Sequence, residues 1–130
     1  MTKLAMIQGD TKAFTFTLYE DDETTPIDLE TDADSITFTA RKYQHSDDIV
    51  KTLGDGIELV EPGEEEDAPD VTGQITVTLD PADTSEIDVP DYLARLTLLW
   101  DIEVVTDGAV HTRRRGELVL YPQVTEDEAS

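Results

Sequence analysis

Apolar and polar residues alternate along several short segments of this chain, and turn signals separate one segment from the next. In residues 12–19 the alternation puts Phe14, Phe16 and Leu18 on one face of a strand and threonines on the other. This two-residue period is typical of strands with one buried face. We therefore predict strands over residues 4–8, 12–19, 35–43, 47–53, 57–60, 71–79, 92–105, 110–114 and 117–121.

Two of these segments carry further signals. Residues 92–105 are apolar almost throughout, with Trp100 and Ile102 among leucines, which predicts a strand buried on both faces. Between two other strands, the sequence Gly54-Asp55-Gly56 predicts a hairpin-type turn.

The only good start for a helix is Asp80 followed by Pro81, and Pro90 limits this helix to one or two turns. Many short strands with one short helical turn predict an all-β fold, a single antiparallel β-sandwich. A chain of 130 residues is expected to form one domain. We place the sandwich at residues 1–124 and an acidic, flexible tail at residues 125–130.

Acidic residues dominate the surface charge. The chain has 31 acidic and 9 basic residues, a formal net charge of −22, so we expect neither nucleic acid nor an anionic membrane as a partner. Repulsion among the carboxylates opposes folding in dilute buffer, whereas molar salt shortens the Debye length to about 3 Å and screens it. The composition resembles proteins of haloarchaea and their viruses; an acidic domain from an ordinary organism is the alternative.

The sequence lacks the residues that several functional classes of protein require. No apolar run reaches the roughly 18 residues of a membrane span, and the first residues lack the apolar core of a secretory signal. Cysteine is absent, and neither His45 nor His111 accompanies a nucleophile motif, so we predict that the protein is not an enzyme. The acidic runs at residues 21–23 and 64–67 lack the ligand spacing of a calcium loop, so we expect no metal and no cofactor.

Three of the nine basic residues are consecutive: Arg113, Arg114 and Arg115. In one interpretation they pair with acidic residues of neighbouring strands in the same chain. In the other they form a docking patch for an acidic partner chain, because a guanidinium group binds a carboxylate through two hydrogen bonds. Alternation turns Arg114 away from its two neighbours, which leaves one side of the strand for a partner. Tyr121, at the end of the last strand, is a further interface candidate.

A set of short motifs follows a particular order along residues 8–121. The motifs are Gly9-Asp10-Thr11, Pro26-Ile27-Asp28-Leu29, Ile36-Thr37-Phe38-Thr39-Ala40-Arg41, Gly73-Gln74-Ile75-Thr76-Val77, Asp83-Thr84, Tyr92, Asp107-Gly108 and Gly116-Glu117-Leu118. In this order they resemble the immunoglobulin-like N-terminal domain of tailed-phage baseplate upper proteins and related small virion proteins. The chain departs from that pattern at Glu30, at Asp91 and in its long acidic loop, residues 61–70.

The resemblance implies an immunoglobulin-like β-sandwich without catalytic residues. It implies a structural protein in the virion of a tailed virus, made in the host cytoplasm and present in several copies. Its partners would be other virion proteins, namely capsid, tail or baseplate chains. Its location in the particle would be the tail or baseplate. A capsid decoration, stabilising or fibre-anchoring protein of the head is the alternative within this class. A cellular carbohydrate- or protein-binding β-sandwich is the alternative from another class.

Overall fold

The computed structural model describes residues 2–20, 22–42, 48–85, 87 and 95–122. It is 57% strand, in one eight-stranded sheet that curves nearly into a barrel, so the all-β prediction is confirmed. The strands are β1 Thr2–Ile7, β2 Lys12–Thr17, β3 Ser35–Arg41, β4 Ile49–Leu53, β5 Gly56–Leu59, β6 Gln74–Leu79, β7 Leu96–Thr106 and β8 Ala109–Tyr121. The helices are α1 Leu29–Asp32 and α2 Pro81–Ser85.

The strands lie in the order β1-β8-β7-β3-β4-β5-β6-β2. Most neighbours are antiparallel, but β1 pairs with β8 and β4 pairs with β5 in parallel, so the prediction of a purely antiparallel fold is wrong for these two pairs. The first two strands of the chain lie at opposite margins of the sheet. β1 therefore finds its partner in the last strand rather than in the strand that follows it.

The connection between β4 and β5 is not the predicted hairpin. The Asp55 N–H donates to the Thr52 carbonyl at 2.8 Å, and the Gly54 N–H donates to the Ile57 carbonyl at 2.9 Å. Gly54 and Gly56 have φ angles of 90° and 96°, in the left-handed region that glycine adopts without strain. The chain thus makes a small loop and continues in its original direction, which places β5 beside β4 in parallel.

The inner face of the curved sheet encloses one hydrophobic core. Trp100 lies at its aromatic centre, with ring centroids 5.1 Å from Phe16 and 5.7 Å from Phe38. Along the predicted strands 12–19, 35–43 and 71–79 one alternating face is buried, since successive side chains of a strand point to opposite faces. The buried residues of these faces are Phe14, Phe16, Leu18, Ile36, Phe38, Ala40, Ile75, Val77 and Leu79.

β7 is buried on one face only. Leu98 and Trp100 are buried in the core, whereas Leu99 between them is 55% exposed. The prediction that residues 92–105 are buried on both faces is therefore wrong for the described part of that segment, residues 95–105. The described strands form one sheet that curves around a single core, and none of them packs on the outer face of β7 as a second sheet.

β8 is one strand of 13 residues where the sequence predicted two. Gly116, between the two predicted segments, stays in the strand and pairs with Thr2 on one side and Trp100 on the other. β8 therefore extends along the whole of β7 and alone connects β1 to the rest of the sheet.

The short helix predicted after Asp80 is confirmed as α2, whereas α1 was not predicted. α2 contacts the turn between β1 and β2: the Gln8 side-chain amide donates to the Thr84 carbonyl at 2.9 Å, and the Gly9 N–H donates to the Thr84 hydroxyl at 2.8 Å. Of the helices that the structure describes, neither has the length or the apolar character to cross a membrane. The predicted tail, residues 125–130, lies outside the described residues.

Candidate interface surfaces

A β-bulge in β8 determines where the three consecutive arginines lie. Ile102 of β7 pairs with Arg114, but the next residue, Glu103, pairs with Thr112, so Arg113 is the inserted residue. Ile102 is fully buried, which places Arg114 on the inner side of the sheet. Beyond the bulge, alternation puts Arg115 on the outer side. The sequence predicted that Arg114 and Arg115 point apart; it did not predict the bulge.

Arg114 makes its contacts within its own chain. Its Nη1 donates a hydrogen bond to the Thr17 carbonyl at 3.2 Å, and its guanidinium carbon lies 5.5 Å from the centre of the Phe16 ring. Both contacts are with β2, the strand at the far margin of the sheet. Arg114 therefore links β8 to β2 where the curved sheet does not close. This residue fits the interpretation in which the arginines serve their own chain.

Arg115 is exposed, and Arg113 is half-buried. Arg115 pairs in register with Asp101 of β7. The carboxylate of Asp101 also lies 3.8 Å from Nη1 of Arg41, on β3. Asp101 thus lies between two arginine-bearing strands, and the docking interpretation remains a prediction for Arg113 and Arg115.

Known proteins give no direct guide to these surfaces. No family model and no curated protein matches this chain. The resemblance to baseplate domains therefore rests on the ordered motifs of the sequence, and the candidate surfaces rest on their own geometry.

The outer face of β1, β8, β7 and β3 forms a surface that we call the Leu99 face. In register, Leu99 lies between Arg41 of β3 and Glu117 of β8. Apart from the bulged residue Arg113, alternation along the four strands gives this face three cations and three carboxylates. These residues are Lys3, Arg41, Arg115, Asp101, Glu103 and Glu117.

The Leu99 face was missed in the sequence because residues 92–105 were predicted to be buried on both sides. A signal was present: Thr97, Asp101 and Glu103 are polar and share the odd-numbered positions with Leu99. Their two-residue spacing indicates a largely polar outer face, in which Leu99 and Val105 are the apolar exceptions.

Tyr121 lies beside Ile7 at the end of β8, and the two side chains are 39% and 46% exposed. They adjoin an open groove of about 300 Å³ at the turn from β1 to β2, which is also lined by Met6 and Lys12. Arg115 is six residues away on the same strand, a distance of about 20 Å at roughly 3.3 Å per residue. The predicted interface residues therefore do not form one cluster.

Lys51 forms ion pairs that join strand β4 to helix α2. Its Nζ lies 2.9 Å from a carboxylate oxygen of Asp83 and 3.8 Å from one of Asp80, which joins β4 to α2. Burial alone would lower the pKa of Lys51, but the hydrogen bond with Asp83 and the charges of Asp83, Asp80 and Asp55 outweigh it and raise the pKa above 10.5. Lys51 is therefore charged at neutral pH and stabilises the fold.

The carboxylates of two acidic loops are held by their own turns. Asp22 accepts hydrogen bonds from the Thr25 hydroxyl and from the backbone N–H groups of Thr24 and Thr25, which lower its pKa from 3.8 to about 2. Asp70 accepts from the backbone N–H and hydroxyl of Thr72, which likewise lower its pKa. Within the described ranges, no three acidic or histidine side chains are grouped so that they could hold a metal ion.

A groove of about 370 Å³ between α1 and the loop of residues 61–70 is lined by several carboxylates, among them Glu30 and Glu65, and by no basic side chain, so it would repel anions. His111 is half-buried on β8 opposite Val104, and His45 lies outside the described residues.

Proposed function

We propose that this chain is a structural protein of a tailed virus that infects a haloarchaeon. It is an immunoglobulin-like module of the tail or baseplate, docks on other virion proteins and is present in several copies. It is not an enzyme and uses no cofactor. Decoration, stabilisation or fibre anchoring at the head is the alternative location.

The order of the strands supports the immunoglobulin-like part of this proposal. Immunoglobulin domains have strands B, E and D in one sheet and strands C, F and G in the other, and variable domains add C′. Here β2-β6-β5 matches the order B-E-D, and β8-β7-β3-β4 matches G-F-C-C′, in both sequence and space. The order supports the immunoglobulin-like module that the ordered motifs imply, with the short β4–β5 pairing as the join between the two groups.

The charge of the chain supports the haloarchaeal setting. A net charge of −22 on 130 residues gives strong self-repulsion in dilute buffer, which molar salt screens. Two of the basic residues, Lys51 and Arg114, contact their own chain from the inner side of the sheet.

The docking surfaces of this proposal are Arg113 and Arg115 at one end of β8 and Tyr121 at the other. The exposed Arg115, with the half-buried Arg113 two residues before it, can bind carboxylates of an acidic partner chain. A tyrosine beside Ile7 offers an amphipathic contact of the kind enriched at interfaces. Their separation along β8 suits contacts with two neighbouring chains or with one extended chain.

The test is to find the protein in particles. Purified virions are analysed by mass spectrometry, and antibody–gold labelling locates the protein in electron micrographs. We expect copies in the particle and label at the tail or baseplate. Label on the head would select the alternative location. Absence from particles, with the protein on host cells or in the medium, would overturn the proposal in favour of a cellular binding module.

A further inference from the structure

β1 lies at one margin of the sheet, so one of its two edges has no neighbouring strand among the described residues. The N–H of Gln8, directly after β1, donates to the Tyr121 carbonyl of β8 at 2.8 Å. Backbone groups alternate in direction along a strand, so the even-numbered residues of β1 bond to β8. The odd-numbered residues turn their N–H and C=O groups away from β8. These residues are Lys3, Ala5 and Ile7.

We call this row of outward backbone groups the free edge of β1. Within the described part of the chain, one group of the row has a partner: the Ile7 carbonyl accepts from the Asp10 N–H at 3.1 Å. Proline, a bulge or a central charge commonly blocks such an edge. β1 has no proline, bulge or carboxylate, and its one charge, Lys3, lies near its start. The occupant that fits this edge is an extended strand, because a strand repeats N–H and C=O groups at the same spacing.

The inner side chains of β1 set a second requirement on that strand. Met6 is 5% exposed, whereas Leu4, which also packs against the core, is half-buried at the open margin. A strand that covers Leu4 needs apolar side chains at alternate positions on its inner side. β1 itself has this pattern, with Leu4 and Met6 two residues apart. A second copy of β1 therefore meets both requirements.

A two-fold axis through Ala5 matches the free groups of two copies. Antiparallel pairing about this axis places Ala5 opposite Ala5, and Lys3 opposite Ile7 of the other copy. Each Ala5 N–H then donates to the other Ala5 carbonyl, and each Ile7 N–H donates to a Lys3 carbonyl. This pairing does not need the Ile7 carbonyl, which is already engaged by the turn. On the inner side, Leu4 of each copy lies opposite Met6 of the other.

We infer that two copies of this chain form a dimer through the free edge of β1, in which their sheets join as one. The dimer is weak, because one strand of six residues offers less than the about 800 Å² per partner of a standard stable interface. It strengthens with salt, which screens the repulsion between two chains of −22. This inference goes beyond the proposed function, because the dimer forms in the purified protein whatever particle that protein enters.

β2, at the other margin of the sheet, provides a matched control. The Leu18 N–H donates to the Gly73 carbonyl at 2.8 Å, so by the same alternation the Ala13 N–H points away from β6. Ala5 and Ala13 are both exposed, and both have an N–H that is not used within the sheet. The edge of β2 differs in that Arg114 already donates to the outward carbonyl of Thr17.

Sedimentation equilibrium of the full chain in molar potassium chloride measures the association. Wild-type protein should approach twice the 14.4 kDa of one chain as its concentration rises. Ala5→Pro removes the N–H at the axis but no bond to β8, and should raise the dissociation constant roughly tenfold or more. Ala13→Pro makes the same change on β2 and should leave the constant unchanged. Circular dichroism checks that both variants stay folded, as proline at an outward edge position permits.

An engineered disulfide tests the axis without proline. The chain has no cysteine, so Ala5→Cys adds one thiol per copy. Across the axis the two Cα atoms would be about 5.5 Å apart, within the roughly 4.4–6.8 Å that a disulfide spans. Under mild oxidation in molar salt, Ala5→Cys should form covalent dimers roughly tenfold faster than Ala13→Cys, because pairing raises the effective concentration of the thiols.

Three results would each overturn the inference. They are wild-type protein that stays monomeric, equal losses for Ala5→Pro and Ala13→Pro, and equal rates of cross-linking for the two cysteine variants. None of these measurements depends on finding the protein in virions, so failure of the dimer and failure of the proposed function are distinguishable.

Discussion

The guanidinium group of Arg114 lies over the ring of Phe16, 5.5 Å from its centre, and places a cation against the aromatic core of a very acidic protein. Phe16 in turn packs on Trp100, and the Thr17 carbonyl accepts a hydrogen bond from Arg114. These contacts hold β2 near β8 where the sheet stays open. Among the three arginines, Arg114 therefore stabilises the fold, whereas Arg113 and Arg115 are the residues that we propose to bind a partner chain.

Replacing Arg114 should destabilise the fold. Arg114→Met should lower the free energy of unfolding by about 1–2 kcal/mol, because it removes a cation–π contact and a charged hydrogen bond to a backbone carbonyl. Urea denaturation in molar salt measures the change. Arg115→Met is the control, and this exposed position should change the free energy by less than about 0.5 kcal/mol. Equal effects of the two substitutions would contradict the structural part assigned to Arg114.

The docking part of the run should be separable from the structural part. The double variant Arg113→Ser with Arg115→Ser keeps Arg114, so the domain should stay folded while fewer copies enter particles. Quantitative mass spectrometry of particles from infected cells gives the occupancy. A control with serine at Lys42, which removes one positive charge outside the proposed docking residues Arg113, Arg115 and Tyr121, should be incorporated normally. Full occupancy of the double arginine variant would contradict docking through Arg113 and Arg115.

Stability should rise with salt. The net charge of −22 favours the expanded chain in dilute buffer, and potassium chloride at molar concentration screens this repulsion. Calorimetry in dilute buffer and across a series of salt concentrations should show a thermal midpoint that increases throughout. An unchanged or falling midpoint would remove the argument for a halophilic protein.

Asp22 should titrate well below its usual range. Its pKa is lowered in the folded protein from 3.8 to about 2, so its contribution to stability is complete above pH 3.8 and is lost as the pH falls from there to about 2. The carboxyl carbon shift in NMR spectra reports the pKa directly. Thr25→Val should move the pKa back towards 3.8, because the Thr25 hydroxyl is the largest cause of the shift. Thr72→Val, which removes the equivalent contact from Asp70, should leave Asp22 unaffected.

The sequence by itself determined the strand character, the inner faces of most strands and the charge of the molecule. Phe16, Phe38 and Val77 could be placed in the core because successive side chains on a strand point to opposite faces, a property of the backbone that holds in any sheet. The helix after Asp80 could be placed for a similar reason, since proline at the first helical turn acts locally. The net charge follows from the counts of acidic and basic residues, which do not depend on the fold.

Only the tertiary structure decided which strands are neighbours, and so which residues meet. The parallel pairing of β1 with β8 joins the two ends of the described chain. The bulge at Arg113 exists because β8 has one residue more than β7 between two fixed pairs. Leu99 is exposed because the described strands all belong to one sheet, and none of them covers the outer face of β7. Alternation reports the two faces of a strand but carries no information about the strand beside it, because neighbours are selected by contacts between residues far apart in the chain.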